Sequence, residues 1–257
     1  MSSKIALVTG AGRGIGKAIA LALAKEGVAT AVNAIHLAGI QATAAEIEAL
    51  GQRSMAIPCD VADYHGVKKM VDQIVASWGG IDILVNNAGV AKNKMWEDTE
   101  KADWDRVISV NLGSVLNCSK VVVKTMKQRG GGCIINVASM AGKTISDAAS
   151  PDYTASKAGI IAFTRQLAFE LGPYNIRVNA ICPGTVKTAM AEMAPEVEKK
   201  LVSLIPLRRF PSPEEVAYVV TFLASDKAAM ITGTTIDIDG GQRLGFLDWE
   251  TYVKLRK

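Results

Sequence analysis

The chain runs to 257 residues, of which 49% are hydrophobic and 21% charged, with a net charge of +4. That length suits one large α/β domain burying roughly 70% of its unfolded surface, with no need of a disulfide or metal staple. The balance excludes disorder, and the 23 glycines follow no collagen period.

Met1-Ser2-Ser3-Lys4 runs directly into an apolar stretch. No signal peptide is expected, and no uncharged stretch reaches the ~18 apolar residues of a membrane span. The expectation is a cytoplasmic protein without a membrane partner. Seven short apolar runs are predicted strands: Ile5–Thr9, Ala29–Asn33, Met55–Cys59, Ile81–Asn86, Cys133–Ala138, Arg177–Ile181 and Thr235–Ile238. Between them Ile15–Lys25, Thr43–Leu50, His65–Trp78, Trp104–Arg129, Asp152–Leu171 and Pro213–Ala224 carry helical spacing. Strands apolar on both faces and alternating with helices predict a single α/β domain. Its core is a doubly wound, seven-stranded parallel sheet with helices on both faces and right-handed crossovers. The alternation loosens from Pro183 to Pro211, where only Glu196–Leu204 looks helical. With Met190 and Met193 inside it, the segment at about 185–210 reads as a substrate lid.

Basic residues are scattered, with doublets such as Lys68-Lys69, Lys199-Lys200 and Arg208-Arg209 but no dense run, so no nucleic-acid stripe is expected. Cys59, Cys118, Cys133 and Cys182 lie far apart without a CxxC pair. That spacing does not suit a structural metal, and isolated thiols in a reducing compartment are expected.

The first strand runs into Thr9-Gly10-Ala11-Gly12-Arg13-Gly14-Ile15-Gly16, and a helix follows. A strand, a glycine turn and a helix N-terminus make an anion site, because free N–H groups and the positive dipole end face the phosphates. The nucleotide-binding GxxxxGK[ST] loop fails at Ala11 and Ala18, and GxGxxG fails at Ile15. GxxxGxG fits through Gly10, Gly14 and Gly16. An acid commonly ends the second strand of such sites to bond the adenosine ribose. Here Ala34 stands 18 residues past Gly16, without carboxylate, Arg or Lys. Nothing there repels a 2′-phosphate, and Arg13 in the turn offers it a positive partner. NADP is the expected cofactor, with NAD as the alternative.

Tyr153 and Lys157 stand four apart on one helix face. A phenol with a free pKa of about 10 is a poor acid or base near neutrality, and a nearby ammonium lowers it toward working range. With 5 tyrosines in the chain such a pair is weak by itself, and Tyr64 with Lys68 repeats it. Context separates them. A predicted strand ends in Ser139, at the edge where α/β sheets bind ligands, and its hydroxyl is placed to hold a carbonyl beside the phenol. Tyr64–Lys68 has no such serine and reads as surface.

Taken together and in order, several stretches resemble the short-chain dehydrogenase/reductase family across essentially the whole chain. They are Thr9–Gly16, Cys59-Asp60-Val61, Asn86-Asn87-Ala88-Gly89, Asn111, Ser139, Tyr153 with Lys157, Pro183-Gly184 with Thr188, and Asp239-Gly240-Gly241. The pattern is similar to 3-oxoacyl-acyl-carrier-protein reductases and to many secondary-alcohol and polyol dehydrogenases. The resemblance implies a Rossmann fold, a homotetramer and a small ketone or alcohol substrate. It implies that Tyr153 is the general acid or base, that Lys157 binds the nicotinamide ribose and lowers the tyrosine pKa, and that Ser139 bonds the substrate oxygen. Asn111 would hold a water that passes protons from Lys157. Asp60 and Val61 would hold adenine, and Asn87, Ala88 and Gly89 would support the cofactor. Pro183, Gly184, Val186 and Thr188 would meet its carboxamide or phosphate side, and Met190 would join the substrate contacts.

A 3-oxoacyl thioester or similar ketone leads over a polyol or keto-sugar. Lys92, Lys94, Lys143, Lys187, Arg208 and Arg209 are candidates for an anionic tail, with plain solvation as the alternative for each. A silent dinucleotide-binding regulator would reuse the same fold but would not need Asn111, Ser139, Tyr153 and Lys157 together. The tail Arg243–Lys257, with Phe246, Leu247, Trp249 and Tyr252, offers apolar surface to a neighbouring copy, or else packs on its own chain.

Overall fold

A computed structural model describes residues 4–146, 149–187, 194–244 and 247–256 of the chain. Seven strands form one sheet: β1 (Ile5–Thr9), β2 (Ala29–Ala34), β3 (Ser54–Pro58), β4 (Ile83–Asn86), β5 (Gly132–Val137), β6 (Ile176–Pro183) and β7 (Thr235–Ile238). Every neighbouring pair is parallel, in the order β3-β2-β1-β4-β5-β6-β7. The chain therefore starts centrally at β1, winds outward to β3, returns beside β1 at β4 and winds the other way. The crevice between the C-terminal ends of β1 and β4 is where such a sheet binds ligands.

The helices are α1 (Gly14–Lys25), α2 (Leu37–Ala49), α3 (Tyr64–Trp78), α4 (Lys101–Ile108), α5 (Ser114–Gln128), α6 (Pro151–Leu171), α7 (Pro195–Leu204), α8 (Pro213–Ala224) and α9 (Trp249–Lys254). Alternate strand residues feed two cores, because successive side chains leave opposite faces of a sheet. Val8, Val32, Val85 and Ile135 pack with Ile19 and Leu23 of α1, Ile40 of α2 and Val220 of α8. Leu7, Ala31, Leu84 and Ile134 pack with Val67 and Ile74 of α3 and Val122 and Met126 of α5.

Two predicted helices differ from the structure. The stretch expected as one helix over Trp104–Arg129 is α4 and α5 joined by a wide π-type turn, Ser109–Gly113, that contains Asn111. Apolar spacing alone does not register one added residue per turn, and such turns are frequent at functional sites. The span Lys101–Gln128 has the length and hydropathy of a membrane-crossing helix, yet its Val115, Cys118, Val122 and Met126 are buried within the fold. Helix α2 begins at Leu37, six residues before the expected Thr43. Gly39 breaks the apolar pattern there, and the structure shows why it is glycine: a Cβ would stand 3.0 Å from the Gly12 carbonyl oxygen. Tyr64 and Lys68 are exposed, and Lys68 pairs with Asp72 at 2.7 Å.

Candidate active site

The glycine turn leaves β1 through Gly10 at φ +65° and enters α1 at Gly14 with φ +56°. Both angles lie where L side chains are strained. The turn is tied to its surroundings on both sides. The Ala11 N–H donates to Asn33 O at 2.8 Å. Asn87 Nδ2 donates to the carbonyls of Thr9 and Gly10, at 3.0 and 3.1 Å. The Thr9 hydroxyl accepts from the N–H groups of Asn87 and Ala88, at 3.0 and 3.1 Å. Asn87 thus supports the crevice from behind. No side chain caps α1 and no acid stands in its first turn, so its leading N–H groups are left to an anion. These features fit a dinucleotide pyrophosphate.

At the end of β2, Ala34 is half-buried and no carboxylate takes its place. Asn33 Nδ2 donates to Ile57 O and Cys59 O at 3.0 and 3.1 Å, which ties the end of β2 to the end of β3. Asp60 is held by the Ala62 N–H at 3.0 Å and by Arg106 at 3.2 Å, beside buried Val61. Arg13 is exposed at the start of α1.

The chemical end is assembled from three elements. Ser139 follows β5, and its Oγ accepts the Ala141 N–H at 3.1 Å. It lies near enough to the Tyr153 phenol to pull its pKa down. Lys157 is 4% exposed and its Nζ donates to Val137 O at 2.8 Å, 5.5 Å from the centre of the Tyr153 ring. A Cβ on Gly89 would stand 3.3 Å from Asn111 Oδ1 and 3.7 Å from Lys157 Nζ, so these groups converge where β4 and β5 open.

The electrostatics depart from the sequence expectation. Burial pushes the Tyr153 phenol above its ordinary value, and the Ser139 side chain pulls the other way. Burial pushes Lys157 down to about 8. The Lys157 amine is turned to the Val137 carbonyl, and burial disfavours its charged form. Asn111 Oδ1 accepts the Val90 N–H at 2.8 Å, and its Nδ2 donates to Val90 O and Ser156 Oγ, each at 3.0 Å. The side chain braces Val90 and α6.

A buried amine carries a stability consequence. With a folded pKa near 8 against 10.5, the unfolded chain binds the extra proton. Stability therefore rises as pH climbs from about 8 to 10.5, and the burial cost stands in full below that window. Lys157→Met is expected to raise the Tm of the ligand-free protein at pH 7, the shift being worth up to about 3 kcal/mol. The gain should vanish near pH 10.5; an equal gain at both pH values, read by calorimetry, contradicts this.

The six cations considered for an anionic tail are all engaged within the chain. Lys92 and Lys94 close on Asp103, Lys143 on Asp237, Lys187 on Glu198 and Arg209 on Glu215, while Arg208 donates to Ser203 O at 2.6 Å. Pro183 ends β6, the Gly184 N–H donates to Ile238 O at 3.0 Å, and Val186 is buried. Thr188, Met190 and Met193 lie outside the described residues, as does Phe246.

Two supporting positions, Gly142 and Ser156, escaped the sequence reading, which took Asp152 as a polar residue shaping substrate choice. A Cβ on Gly142 would lie 2.7 Å from the Lys157 carbonyl carbon, so this glycine lets the Ser139 loop press on α6. Ser156 donates to Tyr153 O at 2.7 Å and links it to Asn111. Buried Asp152 accepts the Tyr153 N–H at 2.7 Å. Gly142 and Ser156 stand beside residues that were singled out, but their role depends on a helix and a loop meeting.

Residues 10–243 match a family model described as enoyl-(acyl carrier protein) reductase. The chain is 41% identical over 242 residues to the 3-oxoacyl-[acyl-carrier-protein] reductase FabG of Thermotoga maritima, covering 94% of this chain and 98% of that one. A putative short-chain alcohol dehydrogenase from Sinorhizobium meliloti superimposes with a TM-score of 0.91 at 38% identity, covering 96% and 98% of the two chains. A 3-oxoacyl-[acyl-carrier protein] reductase from Brucella melitensis, solved with bound NAD, gives 0.87 at 38% identity, over 93% and 90%.

Proposed function

From the premise that this chain belongs to the short-chain dehydrogenase/reductase family and is an NAD(P)-dependent oxidoreductase of ketones and secondary alcohols, we propose that Tyr153 carries the proton of that reaction. A bound nicotinamide dinucleotide supplies or accepts the hydride. The Tyr153 phenol gives its proton to the carbonyl oxygen in reduction, and the phenolate takes it from the alcohol in oxidation. Ser139 hydrogen-bonds the same oxygen, which also lowers the phenol. Lys157 binds the nicotinamide ribose, and its charged form, favoured by a polar partner in place of the Val137 carbonyl, assists the phenolate. Asn111 holds the Val90 segment and, through Ser156, the first turn of α6. The observation that carries this reading is the convergence of Tyr153 and Lys157, 5.5 Å from ring centre to Nζ, with Gly89 and Asn111 beside the Ser139 loop.

The Gly10–Gly16 turn, Ala34, Asp60, Val61, Asn87–Gly89 and Pro183–Val186 enclose the cofactor, with Thr188 added. NADP is the preferred form, since Ala34 offers no carboxylate to a 2′-phosphate and Arg13 is free to pair with it. Wild-type kcat/KM is expected to favour NADP(H). Ala34→Asp is expected to lower the NADP(H) value by about tenfold or more and raise that for NAD(H). A wild-type preference for NAD left unaltered by the substitution removes the idea.

The substrate is an apolar ketone such as a 3-oxoacyl thioester rather than a polyol. Exposed Met95, Trp96, Ile145 and Leu207 all lie on segments that follow strands at the sheet's C-terminal edge, while the nearby cations are engaged by acids. Residues 185–210, which include Met190, act as the lid. A panel of neutral 3-oxoacyl thioesters and polyols, followed by reduced-nicotinamide absorbance with each cofactor, tests this. Faster polyol oxidation overturns the substrate class, and dinucleotide binding with no turnover at all points to a silent regulator. The working form is a cytoplasmic homotetramer. The stacked rings of Trp249 and Tyr252, 5.6 Å apart on α9, offer apolar surface to a second copy; a monomer in light scattering contradicts it.

A further inference from the structure

We propose that Asp152, together with Ser150, positions the Tyr153 phenol, a role that rests on Tyr153 being the proton carrier. Asp152 is 0% exposed and occupies the first turn of α6, directly before Tyr153. Burying a carboxylate without a cation is costly, and among the described residues no Lys or Arg pairs with it. Its Oδ1 instead accepts the Ser150 hydroxyl at 2.5 Å and the Tyr153 N–H at 2.7 Å. Its Oδ2 is buried with no partner, which adds a further cost.

A plain helix cap would not require this. The Tyr153 N–H also donates to Ser150 O at 3.1 Å, so capping alone would not call for a buried carboxylate here. The carboxylate offers a stronger, charge-assisted bond, and it offers it to the backbone of the residue whose aim matters. Ser150 extends the brace outward. Its N–H donates to Lys92 O at 3.0 Å, and its hydroxyl lies 3.0 Å from the same carbonyl, one proton facing two acceptors. The segment it grips is fixed in turn, because the side chains of Lys92 and Lys94 close on Asp103 of α4 and Asn111 holds Val90 at both backbone atoms. Tyr153 is thus held at its N–H by Asp152 and at its carbonyl by Ser156. Two independent struts fix the turn that points the phenol at Ser139.

The test uses the full chain with its cofactor. A misplacement near 1 Å can cost 10²-fold, so Asp152→Ala should lower kcat by about 30- to 100-fold, with KM and cofactor Kd within about threefold. A phenol drawn away from Ser139 also loses the group that lowers it, so the kcat limb in alcohol oxidation should move to higher pH. Asp152→Asn keeps one acceptor oxygen and should restore kcat to within about fivefold of wild type. Ser150→Ala, which leaves the acid in place, should lower kcat by about fivefold and serves if Asp152→Ala does not fold. The proposal fails if Asp152→Ala keeps kcat within threefold, if cofactor affinity falls in parallel, or if the pH limb stays put. Tyr153→Phe in parallel separates the two readings. Turnover retained there removes the proton carrier itself, whereas loss of turnover there with none in Asp152→Ala removes only the brace.

Discussion

Tyr153→Phe is expected to lower kcat by about 10³-fold while leaving cofactor Kd within about threefold. Phenylalanine keeps the ring in its half-buried place and removes only the hydroxyl that meets Ser139. What is lost is a positioned proton donor, an effect worth about 10²–10⁴-fold in general acid–base catalysis. The proposed cofactor crevice is lined by Gly10, Gly16, Thr9 and Asn87, none of which contacts that hydroxyl, so fluorescence titration of the reduced nucleotide should be nearly unaltered. A near-normal kcat would show that another group moves the proton. Ser139→Ala completes the test with a signed pH effect. It removes the group that pulls the phenol down, so the oxidation limb should move to higher pH.

The second large effect lies at the phosphate end. A Cβ on Gly16 would stand 2.3 Å from Gly10 O and 2.4 Å from Asn87 Nδ2. Gly10 O is backbone, and Asn87 Nδ2 is itself bonded to the turn, so neither neighbour can move aside cheaply. Gly16→Ala is expected to cost about 3 kcal/mol, the upper range for overpacking, and to lower Tm by roughly 5–10 °C. Cofactor Kd should rise by about 30-fold or more as the turn opens. Gly12 is the control: its Cβ would meet nothing nearer than 3.5 Å, at backbone of Gly39 and Ile40. Gly12→Ala should therefore keep Tm within about 2 °C and weaken only the nucleotide, whose pyrophosphate approaches that backbone. Equal Tm losses in the two variants, measured without ligand, would refute this division of labour between the glycines.

Much of this architecture was legible before any coordinates. Apolar runs such as Ile5–Thr9 and Arg177–Ile181 lie within β1 and β6, because a strand covered on both faces must be apolar at nearly every position. The Gly10–Gly16 spacing after the first strand predicted the glycine turn between β1 and α1, since the turn and the helix that follows are contiguous in the chain. Tyr153 and Lys157 were visible for the same reason, four residues apart on one helix. Local geometry follows from local sequence.

The remaining decisions were made by segments distant in the chain. The partner of the Lys157 amine is the carbonyl of Val137, 20 residues upstream. The role of Asn111 depended on Val90 and Ser156, and the charge of the candidate anion site on Asp103, Asp237, Glu198 and Glu215. Gly142 is required only because α6 passes beneath it. Composition and spacing thus determined the parallel sheet, the glycine turn and the helix face shared by Tyr153 and Lys157, since each is encoded within a single element. Burial and cross-chain hydrogen bonding decided their protonation, their aim and their free charge. Desolvation and partner geometry come into being only when elements from different parts of the chain meet.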